Sequence, residues 1–170
     1  MAFSLAIWPG SCRPRTGDSV EAFVRPNPDF RPDTGSQPLI LIGAGAGVAP
    51  LVGFVRANSR HRPGYLFSGG RDPSSDFLYR EELQAQLDAG RLTRLFAVFS
   101  RVMGGRYVQH RLLDEAEQLR SLVRQGARFM VCGSAAMGDG VRASLDNVLA
   151  PLDLSVERLQ SAGRYAEDVY

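Results

Sequence analysis

The chain has 170 residues, of which 44% are hydrophobic and 22% are charged. This composition is typical of one globular domain and excludes disordered, collagen-like and coiled-coil chains. The formal net charge of +2 is too small to indicate a nucleic-acid surface, which needs cations clustered on one face. All twenty basic residues are arginine. We attribute this to a GC-rich bacterial coding bias, although arginine is also the better bidentate ligand for phosphate.

Cysteine usage and hydropathy set further limits. Cys12 and Cys132 are far apart and only two histidines accompany them, so we predict neither a disulfide framework nor a metal site. Residues 1–8 are apolar but lack the basic region of a signal peptide, and no stretch reaches the ~18 apolar residues of a membrane helix. We expect a chain without a membrane span, in a reducing bacterial cytoplasm or on the cytoplasmic face of a membrane if the complete protein is anchored.

The order of elements indicates an α/β fold. Residues 1–36 are rich in proline and glycine, which predicts irregular structure with one strand-like piece at 19–24. After them, apolar runs alternate with amphipathic segments, as in a parallel sheet covered by helices. The predicted strands are 38–43, 64–68, 92–99, 128–133 and 165–170, and the predicted helices lie near 50–58, 76–88, 106–124, 136–149 and 155–161. We therefore predict an open, five-stranded, parallel, doubly wound sheet with helices on both faces.

The first predicted strand continues directly into the glycine-rich segment GAGAGVAP at 43–50, and a helix follows. Glycines let a phosphate-bearing ligand approach the backbone, and a helix N-terminus offers free N–H groups and a positive dipole end. The spacing is not GxGxxG, and no acidic residue ends a second strand to bind a ribose hydroxyl, so NAD in the usual Rossmann mode is disfavoured. A tight strand-to-helix turn without a ligand is the alternative interpretation.

Polar and aromatic side chains follow the third predicted strand in FSRVMGGRYVQ at 99–109. Open α/β sheets bind ligands at the carboxyl edge of their strands, where Ser100, Arg101, Arg106 and Tyr107 should lie. Two guanidinium groups and a hydroxyl suit a phosphate monoester, and a phenol ring can stack on a purine. This set predicts a 2′-phosphoadenosine site and favours NADP over NAD. The alternative is a solvated loop whose arginines bind nothing.

Three further positions have no role that their residue types alone would assign. Cys132 and Gly133 end the fourth predicted strand, where a cysteine is usually a small buried hydrophobic residue. Tyr170 is the last residue of the chain, and such a residue ordinarily frays at the surface.

Five blocks in order resemble the NADP-binding domain of the ferredoxin–NADP reductase superfamily. The resemblance is strongest to its diflavin branch, which includes cytochrome P450 reductase, sulfite reductase flavoprotein and nitric oxide synthase reductase domains. The blocks are PLILIGAGAGVAPLVGF (38–54), SGGRDPSSDFLYREEL (68–83), FSRVMGGRYVQHRL (99–112), MVCGSAAM (130–137) and GRYAEDVY (163–170). The resemblance implies an NADPH-dependent flavoprotein reductase in which hydride passes to FAD, and electrons pass on to a flavodoxin-like domain, a haem protein or sulfite reductase.

The resemblance also implies roles for individual residues. The cofactor-binding positions are Gly43, Gly45, Ala46, Gly47, Pro50, Arg71, Ser100, Arg101, Arg106, Tyr107, Gln109, Gly133 and Met137. Among these, the glycine-rich turn corresponds to the cradle for the pyrophosphate and nicotinamide half, and the set around Arg101 to the grip on the 2′-phosphate and adenine. The positions at the hydride-transfer site are Cys132, Asp168 and Tyr170. The last matches an aromatic residue that stacks on the flavin and must move before nicotinamide can reach it.

The chain departs from the family pattern at several of these positions. Ala46 stands where a threonine is usual, so one hydroxyl contact on the nicotinamide side is missing. Ser134 stands where an aspartate is common, and Asp139 is out of register with the later acidic residue. The loop between Arg101 and Tyr107 is one residue short, which leaves open whether Arg106 replaces the usual lysine.

The sequence gives no sign of a flavin-binding domain. No Arg-x-Tyr-Ser motif occurs, and residues 1–36 can supply only a remnant of that domain and the connector at 25–32, whereas residues 37–170 form the predicted NADP-binding domain. We expect a fragment or isolated domain that binds no FAD and is not active alone. The alternative is a stand-alone nucleotide-binding module without turnover, either a sensor or a subunit completed by a separate flavin protein. Visible flavin absorbance of the purified chain would distinguish the two.

Overall fold

A computed structural model describes residues 27–170 as one open, parallel sheet with helices on both faces. Cys12 and the predicted strand-like piece at 19–24 lie outside the described residues. The strands are β1 (Leu39–Ala44), β2 (Gly64–Gly70), β3 (Arg94–Phe99), β4 (Arg128–Gly133) and β5 (Tyr165–Val169). Their order is β3-β2-β1-β4-β5, and every neighbouring pair is parallel. The predicted fold class is confirmed.

Six helices cover the two faces of the sheet within the described part of the chain. They are α1 (Val48–Arg56), α2 (Arg80–Asp88), α3 (Val108–Asp114), α4 (Ala116–Arg124), α5 (Ala135–Leu149) and α6 (Val156–Ser161), with 3₁₀ turns at Gly45–Gly47 and Ala150–Leu152. Apolar residues of α1 and α2 pack on one face, and those of α3, α4, α5 and α6 pack on the other.

The residues of β1 show how the strand sequence fills both layers. Ile40 and Ile42 belong to the cluster under α3 to α6, whereas Leu39 and Leu41 belong to the cluster under α1 and α2. Successive side chains of a strand point to opposite faces, so a continuous apolar run such as LILI is what a strand covered on both faces requires. The strand order reverses at β1: β2 and β3 lie on one side of it, and β4 and β5 lie on the other. That reversal creates the crevice in which open α/β sheets bind ligands.

Two predicted helices differ from the observed ones. The prediction of one helix near 106–124 is wrong, because α3 ends at Asp114 and α4 begins at Ala116, with Glu115 at φ −93°, ψ 18° between them. Helix α2 begins at Arg80 rather than near residue 76, since Tyr79 adopts a left-handed conformation with φ 60°.

The connector ahead of β1 packs on the domain at the end of the sheet opposite the carboxyl edge. Phe30 is 1% exposed and its ring lies 5.5 Å from that of Phe54. Asp33 pairs with Arg62, at 2.8 Å, and with Arg128, at 3.2 Å. Burial raises the pKa of Asp33, but the Gly35 amide and the two arginines outweigh it, so the net pKa is lowered. We call Asp33, Arg62 and Arg128 the amino-end clamp.

Among the helices of residues 27–170, none combines the length and apolar character that a membrane crossing requires.

Candidate functional site

A cleft of about 650 Å³ opens at the carboxyl edge of the sheet, within the size range of small-molecule sites. Residues after β1, β2, β3 and β4 contribute to its walls. Of the positions predicted from sequence, those lining it are Gly45, Ala46, Arg71, Ser100, Arg101, Arg106, Tyr107, Gln109, Met137 and Tyr170. Gly43, Gly47, Pro50, Cys132, Gly133 and Asp168 are not part of its lining. The fold therefore gathers ten of the predicted positions around one opening.

One wall is the glycine turn, residues 43–50. A Cβ atom on Gly47 would lie 2.2 Å from the carbonyl oxygen of Cys132, and one on Gly43 would lie 2.7 Å from Leu51 Cδ1. These two glycines let the turn pack directly against β4 and α1. Gly45 has φ +55° and open space where a Cβ would be. The sequence motif predicts one ligand-binding role for these glycines. In the structure, Gly43 and Gly47 serve packing and Gly45 faces the cleft.

The glycine turn also sets the electrostatics of its wall. It leads directly into α1, whose first turn contains no acidic residue. The positive dipole end of the helix is therefore not neutralised by a carboxylate of that turn. This wall is suited to an anionic group.

The opposite wall is the arginine loop, residues 99–107. The Arg106 amide donates to the Phe99 carbonyl at 2.9 Å and the Gly105 amide to the Val102 carbonyl at 2.8 Å, which closes the loop tightly. A Cβ on Gly105 would lie 2.4 Å from the Ser100 carbonyl oxygen. The side chain of Arg101 is exposed, so its guanidinium is available to a ligand in the cleft.

Aromatic and amide side chains follow the arginine loop at the start of α3. Tyr107 is 57% exposed and its ring meets His110 edge to face at 5.8 Å, which leaves ring surface available for stacking on a planar group. Gln109 packs against α5, where a Cβ on Gly140 would lie 3.1 Å from its side-chain nitrogen.

Arg106 differs from Arg101 because it already has an anionic partner. Its Nη1 lies 2.6 Å from Asp114 Oδ2 and its Nη2 lies 3.0 Å from Asp114 Oδ1. This bidentate geometry is the strong form of an arginine–carboxylate pair. Sequence reasoning did not anticipate it.

The segment after β2 forms the rim between the two walls. The Arg71 carbonyl accepts a hydrogen bond of 2.8 Å from the Arg101 amide, which ties this segment to the arginine loop. Lining residues that sequence reasoning missed are Ala44, Gly69, Gly70, Asp76, Leu78, Val108, Ser134 and Ala136. The signal that would find six of these eight is their place at the end of a strand, directly after a strand or at the start of a helix.

Cys132 lies beneath the cleft. It is 3% exposed, and burial, aided by the charge of Asp168, raises the pKa of its thiol to about 12. The two residues are register partners in β4 and β5. Cys132 is thus a neutral thiol at physiological pH rather than a nucleophilic thiolate. Gly133, at φ +156°, makes room for the methyl of Met137, since a Cβ there would lie 2.4 Å from that carbon.

Tyr170 lies across the cleft from the arginine loop. Its amide donates to the Gly133 carbonyl at 3.1 Å and its carbonyl accepts from the Ala135 amide at 3.0 Å, so its backbone is held by the sheet. Its side chain is 66% exposed and lines the cleft. Burial together with Cys132 and Asp168 raises the pKa of its phenol, and the nearby Gly47 amide partly offsets this. The phenol oxygen therefore lies near the glycine turn.

A side-chain network anchors β5, the strand that leads to Tyr170. Glu167 accepts hydrogen bonds from Arg142 of α5, at 2.9 Å, and from the Tyr165 hydroxyl, at 2.8 Å. Burial raises the pKa of Glu167, but these two hydrogen bonds outweigh it and the net pKa is lowered. Glu167 is therefore ionised in the folded protein at neutral pH.

Within residues 27–170, no three His, Cys, Asp or Glu side chains come together as potential metal ligands.

Comparison with known proteins relates the chain to oxidoreductases. Residues 41–143 match the family model described as "Oxidoreductase NAD-binding domain". The chain is 33% identical to NADPH oxidoreductase A of Dictyostelium discoideum over 172 residues, which cover 93% of this chain and 27% of the relative. It is 38% identical to the sulfite reductase (NADPH) flavoprotein alpha-component of Vibrio cholerae over 168 residues, or 91% and 27% of the two chains. The corresponding protein of Thiocapsa roseopersicina is 37% identical over 162 residues, or 89% and 31%.

The chain spans about 27% to 31% of the length of these curated relatives. The family match extends from β1 into α5 and so includes both the glycine turn and the arginine loop. It confirms the resemblance to the NADP-binding domain of the ferredoxin–NADP reductase superfamily. The chain belongs to the oxidoreductase NAD-binding domain family.

Proposed function

We propose that the cleft binds NADPH and that the complete protein is an NADPH-dependent flavoprotein reductase. The observation that carries this proposal is the meeting of the glycine turn and the arginine loop around one cleft. One wall offers backbone N–H groups and a helix N-terminus, and the other offers guanidinium groups and a hydroxyl. A dinucleotide with a pyrophosphate at its centre and a phosphate on one ribose needs both. The relatives, an NADPH oxidoreductase and sulfite reductase flavoproteins, agree with this choice.

The arginine loop would hold the adenosine end of the cofactor. Ser100 and Arg101 would donate to the 2′-phosphate, with Arg106 adding positive charge beside them. The exposed ring of Tyr107 would stack on adenine, and Gln109 would lie at its edge. NADH lacks the 2′-phosphate, so this wall favours NADPH.

The glycine turn would hold the pyrophosphate and the nicotinamide half. Gly45 leaves open space in the cleft, which a phosphate could approach closely, and the N-terminus of α1 would stabilise its charge. Arg71 would contribute from the rim. Ala46 provides no hydroxyl, so the backbone carries recognition at that position.

The nicotinamide would supply a hydride for transfer to the N5 atom of FAD, from which electrons leave singly. The residues of this chain bind and orient rather than react. Cys132, held neutral by burial, would lie beneath the nicotinamide, with Asp168 beside it. Tyr170 covers the place that nicotinamide must take, so its ring has to move before transfer and excludes water while it stays.

The remaining assignments concern the complete protein. We propose that residues 37–170 are the NADP-binding domain and that residues 1–36 are a remnant of a flavin-binding domain with its connector. FAD would bind in the complete protein against Tyr170, and the acceptor would be a flavodoxin-like domain, a haem protein or sulfite reductase. We also propose a cytoplasmic location, or the cytoplasmic face of a membrane if the complete protein is anchored.

Calorimetric titration of the chain with NADPH and NADH tests the proposal. We expect NADPH to bind at least about tenfold more tightly, since a phosphate held by charged hydrogen bonds contributes about 1.5–3 kcal/mol. Equal affinity for the two would contradict it. Mixing the chain with a flavin-binding domain and following NADPH oxidation would then distinguish a reductase subunit from a module that only binds nucleotide.

A further inference from the structure

The pair between Arg106 and Asp114 lies at the edge of the cleft. Arg106 lines the cleft, and both of its terminal nitrogens are bound to Asp114, at 2.6 and 3.0 Å. The side chains are 48% and 35% exposed, so solvent or a ligand can reach the pair. The bidentate geometry that the carboxylate uses is the one a phosphate would use.

The arginines of the cleft differ in whether a carboxylate already pairs with them. Among residues 27–170, no carboxylate lies within ion-pair distance of Arg101 or Arg71, whereas Asp114 holds Arg106. The backbone of Arg106 is fixed by its hydrogen bond to the Phe99 carbonyl. The side chain of Arg106 can therefore exchange Asp114 for another partner while the backbone stays in place.

Two helix ends meet beside Asp114 and act on its carboxylate in opposite directions. Asp114 is the last residue of α3, whose negative dipole end disfavours a carboxylate, and it directly precedes the N-cap of α4, whose positive end favours one. The bidentate contact with Arg106 is the direct interaction that its side chain makes.

Resting on the proposed NADPH site, we propose that Asp114 is a specificity-determining residue that competes with the 2′-phosphate for Arg106. A phosphate entering the arginine loop must share the guanidinium with Asp114 or displace it. Asp114 thus lowers the affinity for 2′-phosphorylated nucleotides and leaves unphosphorylated ones unaffected. It acts through Arg106 and does not itself touch the nucleotide.

The test uses adenosine 2′,5′-bisphosphate and 5′-AMP as probes, titrated by calorimetry into the chain and its variants. Asp114→Asn should bind the bisphosphate about two- to fivefold more tightly than the unaltered chain, the range of one exposed charge interaction. Its affinity for 5′-AMP should be unchanged. In an Arg106→Ala background, Asp114→Asn should no longer alter the affinity for the bisphosphate.

Asp153→Asn is the matched control. Asp153 is also an exposed carboxylate paired with an arginine, Arg158, but it follows the C-terminal end of α5, far from the cleft. Asp153→Asn should change neither the affinity for the bisphosphate nor that for 5′-AMP. Because it removes the same negative charge as Asp114→Asn, this result would exclude an effect of net charge alone. Thermal melting of each variant establishes that it is folded.

Three results would overturn the inference. Unchanged or weaker bisphosphate binding by Asp114→Asn would show that the carboxylate does not compete. The same gain in the Arg106→Ala background would show repulsion of the phosphate that does not pass through Arg106. If neither the unaltered chain nor Asp114→Asn distinguishes the bisphosphate from 5′-AMP, the 2′-phosphate site of the proposed function fails as well.

Discussion

The two walls of the cleft are built in different ways. The glycine turn is made of backbone that packs against β4, with no space for a Cβ at Gly47. The arginine loop presents exposed side chains from a backbone that closes on itself through hydrogen bonds between Phe99 and Arg106 and between Val102 and Gly105. In the glycine turn, the backbone that would contact a ligand also packs the fold. In the arginine loop, the side chains that would contact a ligand are separate from the backbone hydrogen bonds that close the loop. A side chain added at Gly47 of the glycine turn should alter stability, whereas changes to the exposed side chains of the arginine loop should alter affinity alone.

The largest expected effect tests the glycine turn. Gly47→Ala should destabilise the fold by about 3 kcal/mol or more, because overpacking against rigid backbone is costly and the new Cβ would meet the Cys132 carbonyl oxygen at 2.2 Å. Gly45→Ala is the matched control. It meets no atom within 4 Å and should cost only about 1–2 kcal/mol for its left-handed backbone. Urea unfolding of both variants measures the difference, and equal losses would remove the distinction between these glycines.

The second prediction tests the arginine loop. Arg101→Ala should weaken NADPH binding by about 1.5–3 kcal/mol, the range for a lost charged hydrogen bond, and leave NADH binding nearly unchanged. Arg124→Ala, at an exposed position of α4, is the control and should change neither. Calorimetry gives the affinities and thermal melting the stability. A loss of stability comparable to that of Gly47→Ala would mean that the two walls do not differ as described.

The third prediction extends the comparison to β5. Glu167→Gln should destabilise the protein by about 1–2 kcal/mol at pH 7, because the hydrogen bonds from Arg142 and Tyr165 lose their charged acceptor. The pKa of Glu167 is lowered in the folded state, so its stabilisation is present above the unfolded value of about 4.3 and is lost as pH falls through the folded pKa. Urea unfolding at pH 7, 5 and 3 should show the difference between the two proteins shrink below pH 4. A difference independent of pH would contradict the ionic role.

The smallest expected effect concerns Tyr170, which lies near the glycine turn and across the cleft from the arginine loop. In the complete protein with its flavin domain, deletion of Tyr170 should tighten NADP⁺ binding about fivefold and slow its release, since nicotinamide no longer has to displace the ring from a contact of about 1 kcal/mol. Tyr170→Phe keeps the ring but not the hydroxyl near the Gly47 amide. Its NADP⁺ affinity and release rate should lie between those of the unaltered protein and the deletion. Titration and stopped-flow release measure both. Identical behaviour of all three proteins would make Tyr170 an ordinary terminal residue.

The sequence predicts the strands well because burial on both faces leaves a continuous apolar run, as in LILI of β1. It predicts helix continuity less well. Apolar residues continue from α3 into α4, so nothing in the pattern marks the break at Glu115. Tyr79 shows the same limit, because a left-handed tyrosine ahead of α2 has no sequence signature.

The site was predictable in its positions and less so in its geometry. Loops that follow parallel strands must meet at one edge, which is enough to bring Arg101 and Gly45 together. Whether a glycine faces the cleft or packs against β4 depends on contacts between segments far apart in sequence, as for Gly47 and Cys132. The pairing of Arg106 with Asp114, eight residues along the chain, is a choice among exposed side chains that periodicity does not encode.

The amino-end clamp has a mechanical consequence. Asp33 is held by Arg62, just ahead of β2, and by Arg128, the first residue of β4, so the connector is fastened at the amino ends of the strands. A strand of six residues spans about 20 Å, and the cleft opens at the other end. The connector is therefore fastened about one sheet length away from the cleft. Phe30 is buried ahead of the clamp, so a domain that preceded residue 27 would be tethered from Phe30, and the free length of chain ahead of Phe30 would set the effective concentration of the two domains.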